Sequence, residues 1–368
     1  MSATVDFRRS LPPVPPRLHE ELALSLEHLA GGRDLGMLMH ESRARGTDRE
    51  RAAGVRFLSG RLGADISPDR IMITNGAQSA FVLLLRELVG STEVLLAEAL
   101  TYGALRPLAQ KCSIRIQGVA IDHEGILPDA FADACRIHKP RALYCNPTLH
   151  NPTTAIMSLA RRWEIIRIAR EYGVTIIEDE ALARLYPDTP QPLATLAPEI
   201  CWYVMSTTKC LSHGLRLAYV VAPSTQQATT MLESADQLSF WVPTPLVTAI
   251  MTAWVESGVA DLISGDIARE CRLREAVATQ TLEGYDIWAP RGTMHIWLTL
   301  PKHYGAGEFA DLAQKSGVLL RPASHFSVDD TKAPDALRLS LSTPANLGEV
   351  KQGLGALREL LERGIGRT

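Results

Sequence analysis

The sequence lacks several features that would place it quickly. It has no excess of charge of one sign: 38 Lys and Arg stand against 41 Asp and Glu, for a formal net charge of −3. That balance offers no electrostatic footprint for nucleic acid or an anionic membrane surface. No apolar run approaches the length of a membrane span. The start, Met1-Ser2-Ala3-Thr4-Val5-Asp6, lacks the basic-then-apolar order of a secretory signal, so the expected location is the cytoplasm. The six cysteines form no C-x-x-C pair and no metal-ligand spacing, and they read as reduced thiols serving as small core residues.

What is present is ordinary globular composition, 46% hydrophobic and 21% charged over 368 residues. A chain of that size buries a sizeable core without a disulfide or metal staple.

Pro12, Pro13, Pro15 and Pro16 read as an extended arm leading into a helix over about 18–29. Residues 34–48 read as polar and irregular, and a helix is expected over 49–62. Seven β-rich runs follow, at 70–74, 93–97, 114–119, 142–145, 174–178, 202–206 and 217–222. Helical patterns at 80–88, 159–171 and 225–234 lie between them. Near-continuous apolar strands alternating with helices imply a mostly parallel α/β sheet covered on both faces. Ligands bind at the carboxyl ends of such strands. After 258 the pattern changes to a long helix (259–283), strands near 294–300, 318–321 and 337–342, and a final helix over 347–362. The expected division is an arm with part of a small domain (1–45), a large domain (46–258) and a small α+β domain (259–368).

The strongest chemical signal is Ser206-Thr207-Thr208-Lys209-Cys210-Leu211-Ser212-His213-Gly214-Leu215-Arg216. A strand ends in small hydroxyl residues, then an amine, then Gly-Leu-Arg. Ser206, Thr208 and Arg216 supply hydroxyl and guanidinium donors suited to a phosphate beside Lys209. A second signal is Arg338 among apolar neighbours in Ala336-Leu337-Arg338-Leu339-Ser340. A buried guanidinium needs an anion, and a carboxylate bound through both its oxygens is the natural one.

The lysine string resembles the cofactor motif of fold-type I pyridoxal-5'-phosphate (PLP) aminotransferases of class I/II, S-x-S/T-K-x-x-x-P-G-L-R. The other motifs of that family follow in order over nearly the whole chain. The resemblance implies a large domain with a seven-stranded, mostly parallel sheet, a smaller α+β domain, and PLP held by Lys209 as a Schiff base. It places Thr74-Asn75-Gly76-Ala77-Gln78-Ser79 at the glycine turn, where amides of Gly76, Ala77 and Gln78 meet the phosphate. It puts Tyr102 against the cofactor ring and Asn151, in Asn151-Pro152-Thr153-Thr154, at the ring hydroxyl oxygen. Asp179, in Ile176-Ile177-Glu178-Asp179-Glu180, faces the pyridine nitrogen, and Glu178 and Glu180 are left structural or solvent-facing. Arg338, with Asn151, takes the substrate α-carboxylate. In detail the chain resembles the aminotransferase-like domain of GntR/MocR-type regulators and 2-aminoadipate-type aminotransferases. Glu98-Ala99-Leu100-Thr101-Tyr102 and Ala289-Pro290-Arg291-Gly292-Thr293-Met294-His295-Ile296-Trp297 support this.

The pattern breaks at five places. Leu182 stands where the family carries a tyrosine bonding the ring oxygen. No tyrosine lies near Glu41. His213 replaces the motif proline, Thr293 a glycine, and Thr154 the glycine after Asn-Pro-Thr. His40, His150, His213, His295 and His325 are candidates to line the site, with no catalytic role assigned. Phe240-Trp241-Val242-Pro243 is open to core packing, a place near the site or a subunit contact.

Two functions compete. One is amino transfer from an α-amino acid to a 2-oxo acid by a homodimer with no metal, with other PLP chemistry (oxidation, decarboxylation, elimination) open on the same residues. The other is an effector domain that senses PLP or an amino acid within a transcription regulator.

Overall fold

The structure, a computed structural model, describes residues 4–32, 35–40, 43–236, 238–329 and 333–365. Met1, Ser2, Ala3 and Glu41, named above, and position 34 lie outside the described residues. The chain opens with strand β1 (Val5–Asp6). Pro16 then starts helix Pro16–Gly31, where its missing N–H leaves no bond unmade. The stretch expected to be irregular contains a short helix, Leu35–His40. Six residues are too few for a legible period. Helix Asp48–Leu62 begins at a capping box, with Thr47 accepting from the Glu50 amide and Glu50 accepting from the Thr47 amide.

All seven expected runs become strands of one sheet. They are β2 (Ile71–Thr74), β3 (Val94–Glu98), β4 (Arg115–Val119), β7 (Ala142–Cys145), β8 (Thr175–Asp179), β9 (Cys201–Ser206) and β10 (Ala218–Val221). A hairpin of β5 (Ile121–Asp122) and β6 (Gly125–Ile126) stands apart. The sheet order is β2-β10-β9-β8-β7-β3-β4. Only β10 runs antiparallel to its neighbours. Every residue of β2, β3, β7, β9 and β10 is buried. This is the signature of strands covered on both faces.

The second sheet has four antiparallel strands in the order β11 (Ile287–Trp288), β12 (His295–Thr299), β15 (Ala336–Ser340), β14 (Arg321–Pro322). The single strand expected at 318–321 is two. β13 (Val318–Leu319) pairs in parallel with β1, while β14 pairs with β15. Two different partners split one apolar run, and the partners are distant in sequence. The N-terminal residues therefore pack on the C-terminal part of the chain. Gly353, on helix Leu347–Ile365, makes this possible: a Cβ there would come within 2.6 Å of the Phe7 ring.

The long helix expected to run to 283 ends earlier, as Val259–Thr281, and a separate helix, Pro245–Ser257, precedes it. Gly258, at φ +81°, makes the corner between them. Helices Leu105–Lys111, Pro128–His138 and Ala306–Lys315 were not read from the sequence. Among the described residues no single helix is long and apolar enough to cross a membrane.

Candidate active site

Five of the six strands that run the same way, all but the edge strand β4, deliver the candidate residues to one edge of the large sheet. Gly76 follows β2, Tyr102 follows β3, Asn146 and Asn151 follow β7, Asp179 ends β8 and Ser206 ends β9. Arg216 precedes β10, whose reversed direction brings it to the same edge. Arg338 comes from β15 of the second sheet. Together with Ala77, Gln78, Thr208 and Lys209 they line one cavity of about 540 Å³.

One end of this cavity suits a phosphate. Gly76, at φ +83°, leads into helix Ala77–Leu84, and no side chain caps the first-turn amides. The hydroxyls of Ser206 and Thr208 are 2.8 Å apart. The Arg216 guanidinium has no hydrogen-bond or ion-pair partner among the described residues.

At the base of the cavity, Asp179 accepts from the Tyr144 phenol (2.6 Å) and the Ala181 amide (3.1 Å). Burial pushes its carboxyl up to about 6, against the pull of those two donors and Lys209. Lys209 is brought down to about 8, first by burial and then by the Arg338 charge, with Asp179 opposing. Its Nζ donates to the Ser10 carbonyl.

Arg338 is 5% exposed. It donates to Asn151 Oδ1 (2.8 Å) and to the Arg8 carbonyl (2.6 Å), and its Nε has no partner among the described residues. The Asn151 amide in turn donates to Asn146 Oδ1 (2.8 Å). The Asn151-Pro152 bond is cis. Tyr102 accepts from Gln78 Nε2 at 2.8 Å.

These groups match what PLP requires. There are donors for a dianionic phosphate at a helix start, a carboxylate held ready for a ring nitrogen, an amine of lowered basicity for an aldehyde, and a buried guanidinium with an unused N–H for a carboxylate.

Neighbouring residues divide differently from expectation. Glu178 and Glu180 are fully buried, and neither faces solvent. Glu178 accepts from the amides of Leu193 and Ala194, and Glu180 is bound by Arg61, Thr148 and Tyr203. Glu98 accepts from the Asn146 amide and Thr101, which fixes the turn below Asn151. His213, His295 and His325 line the cavity, and His40 and His150 are not among its lining residues. His150 sits instead behind the wall, 4.0 Å from Glu98. Leu182 lines the cavity, while Tyr186 turns away and donates to the Gly292 carbonyl. Trp241 is core, donating to the Ala235 carbonyl, and Phe240 is 42% exposed.

Sequence reading missed Tyr144, which supports Asp179 from beneath the cavity, and two parts of the cavity lining. Tyr144 was detectable as a lone phenol in an otherwise apolar strand, which needs a partner when buried. The segment Arg8–Leu11 and Arg321 carried no local signal, since only tertiary packing brings them in.

Fold and cavity together define a fold-type I PLP-dependent transferase. The family model for aminotransferase class I and II matches residues 41–354, and the chain belongs to that family, whose cofactor is pyridoxal 5'-phosphate. It is 28% identical over 344 residues to the HTH-type transcriptional regulator YdeF of Bacillus subtilis, covering 94% of this chain and 74% of YdeF. It spans 62% of a second such regulator, YisV, from the same organism. It is 27% identical to the 2-aminoadipate transaminase of Thermus thermophilus over 76% of this chain and 72% of that enzyme. The solved LysN α-aminoadipate aminotransferase of that species superposes with a TM-score of 0.87 at 23% identity, over 100% of this chain and 94% of that one.

Proposed function

We propose that this chain is an aminotransferase that takes an amino group from an α-amino acid and passes it to a 2-oxo acid, with Lys209 as the residue bonded to PLP. One observation carries the reading. Lys209, Asp179 and Arg338 open on a single cavity, the Lys209 amine brought down to about 8 by burial and then by the Arg338 charge. When bound, PLP supplies an electron-withdrawing ring conjugated to the substrate nitrogen.

In this reading the amides of Gly76, Ala77 and Gln78, with Ser206, Thr208 and Arg216, hold the phosphate. Tyr102 packs on the ring, Asn151 donates to the ring oxygen, and Asp179 keeps the ring nitrogen protonated. Arg338 fixes the α-carboxylate and so orients Cα toward Lys209. The Lys209 amine, brought down to about 8, is partly neutral near neutral pH and would move a proton from Cα to the carbon that bore the aldehyde.

We assign residues 46–258 to the cofactor-binding domain, with 1–45 and 259–368 forming the remainder. A homodimer in the cytoplasm accompanies the reading, and the exposed Met37 and Met39 offer apolar surface for such a contact.

The test is borohydride reduction of the PLP-loaded protein followed by peptide mapping. Label on Lys209, multiple turnover with an amino donor and 2-oxoglutarate, and loss of both in Lys209→Ala are expected. Label on another lysine refutes the assignment.

The similarity to YdeF favours a second reading, in which this fold serves as the ligand-sensing part of a regulator. Binding of PLP and an amino acid without turnover would support it.

A further inference from the structure

We infer that Arg9 and Arg321 form a second anion subsite beside Arg338, so that the preferred substrate is an amino acid with an acidic side chain. This rests on the aminotransferase reading and deepens it.

The argument starts from charge. The cavity wall carries Arg8, Arg9, Lys209, Arg216, Arg321 and Arg338 against one carboxylate, Asp179. Four of these cations have an assignment. Arg8 is neutralised by Asp6 through two bonds, 3.1 and 3.0 Å. Arg216 is assigned to the phosphate, Arg338 to the α-carboxylate and Lys209 to the cofactor. Arg9 and Arg321 are left over. No described carboxylate lies within ion-pair distance of either.

Geometry places Arg321 where a second carboxylate would be needed. Arg321 on β14 is the direct cross-strand partner of Arg338 on β15. Such partners share a face of the sheet with their Cβ atoms about 5 Å apart. Both guanidiniums donate to one acceptor, the Arg8 carbonyl, at 3.4 Å from Arg321 Nε and 2.6 Å from Arg338 Nη2. On its other side Arg321 Nη1 lies 3.0 and 3.2 Å from the ring nitrogens of His325. That imidazole is held neutral, brought down to about 4 by burial and then by the arginines, and supplies no counter-charge.

Two like charges directly opposite each other in a sheet are destabilising. One carboxylate satisfies one guanidinium through two parallel bonds. A neutral substrate side chain would leave the second guanidinium half-desolvated against it, whereas a second carboxylate would neutralise it.

The test uses the PLP-loaded protein. Calorimetry compares glutarate with butyrate, and kinetics compare L-glutamate with L-glutamine as donors in wild type, Arg321→Gln and Arg9→Gln. Glutarate is expected to bind at least ~10-fold more tightly than butyrate. The glutamate-to-glutamine ratio of kcat/KM is expected to fall about 10- to 100-fold in Arg321→Gln, from the loss of a charge-assisted pair. Equal affinity for the diacid and monoacid would overturn the proposal. So would an unchanged glutamate-to-glutamine ratio in both variants, which would make Arg321 a second ligand of the α-carboxylate. If no amino acid donates to any oxo acid, the aminotransferase reading fails. The diacid comparison still decides the subsite, and it does so in wild type even where a variant fails to fold.

Discussion

The phenol of Tyr144 donates a 2.6 Å hydrogen bond to Oδ2 of Asp179, joining adjacent strands β7 and β8 below the floor of the cavity. Burial works against the Asp179 carboxylate, and this donor is the largest of the effects opposing it. Tyr144→Phe removes a bond that favours the charged form, so the Asp179 pKa rises. In the role proposed for it Asp179 acts as the carboxylate, so activity is expected to fall as pH falls. The acidic limb of the kcat/KM profile should therefore move upward by about one pH unit, the equivalent of one modest hydrogen bond to a charged group. A limb that stays in place would show that Tyr144 does not set the Asp179 ionisation.

Leu182 presents a hydrocarbon where the family resemblance calls for a hydroxyl. A donor to the ring oxygen favours its deprotonated form. Leu182→Tyr should thus lower the apparent pKa of the absorbance change of the PLP-loaded protein, by about one unit. Spectrophotometric titration of both proteins checks this, and an equal or higher value in the variant would count against it.

Glu98 is 1% exposed, and burial pushes its carboxyl up to about 7 from an ordinary value of 4.5. Between those values the folded chain holds a proton that the unfolded chain has released. Its contribution to stability is therefore complete below about 4.5 and is lost as pH rises through 7. Glutamine does not titrate. Relative to wild type, Glu98→Gln should gain stability between pH 5 and pH 8, by up to about 3 kcal/mol. Thermal unfolding at the two pH values measures it, and a constant difference would refute the assignment.

Most of the large sheet was legible because strands buried on both faces read as continuous apolar runs. The helix Pro245–Ser257 was not, since it is apolar on most of its circumference and shows little period. The helix Ala306–Lys315 did carry a usable signal, with Ala306, Phe309 and Ala313 on its buried side. Among the site residues, those following strands stood in readable motifs. Arg8, Arg9, Ser10 and Arg321 did not, because what places them is the pairing of β1 with β13 and of β14 with β15. The first of these joins residues some 300 positions apart, Val5 with Val318, and no local pattern encodes it.

The same pairing makes Gly353 a structural test. A methyl group at this position would sit 2.6 Å from the Phe7 ring and 2.8 Å from a Val5 methyl. Gly353→Ala should cost about 1–3 kcal/mol by overpacking, despite the better helix propensity of alanine. Chemical denaturation reads the cost, and because Phe7 precedes Arg8, KM for the amino donor should rise as well. A fully stable variant would mean that the β1 segment yields without loss.

The stretch from Phe7 to Ser10 ties these observations together. Its carbonyls receive the Ser340 amide, the Arg338 guanidinium and the Lys209 amine in succession. It therefore acts as a handle on the pocket. Traction on the chain ahead of Val5 would strip acceptors from both principal cations at once, and a tag or fused domain at that end belongs in any kinetic comparison as a variable in its own right.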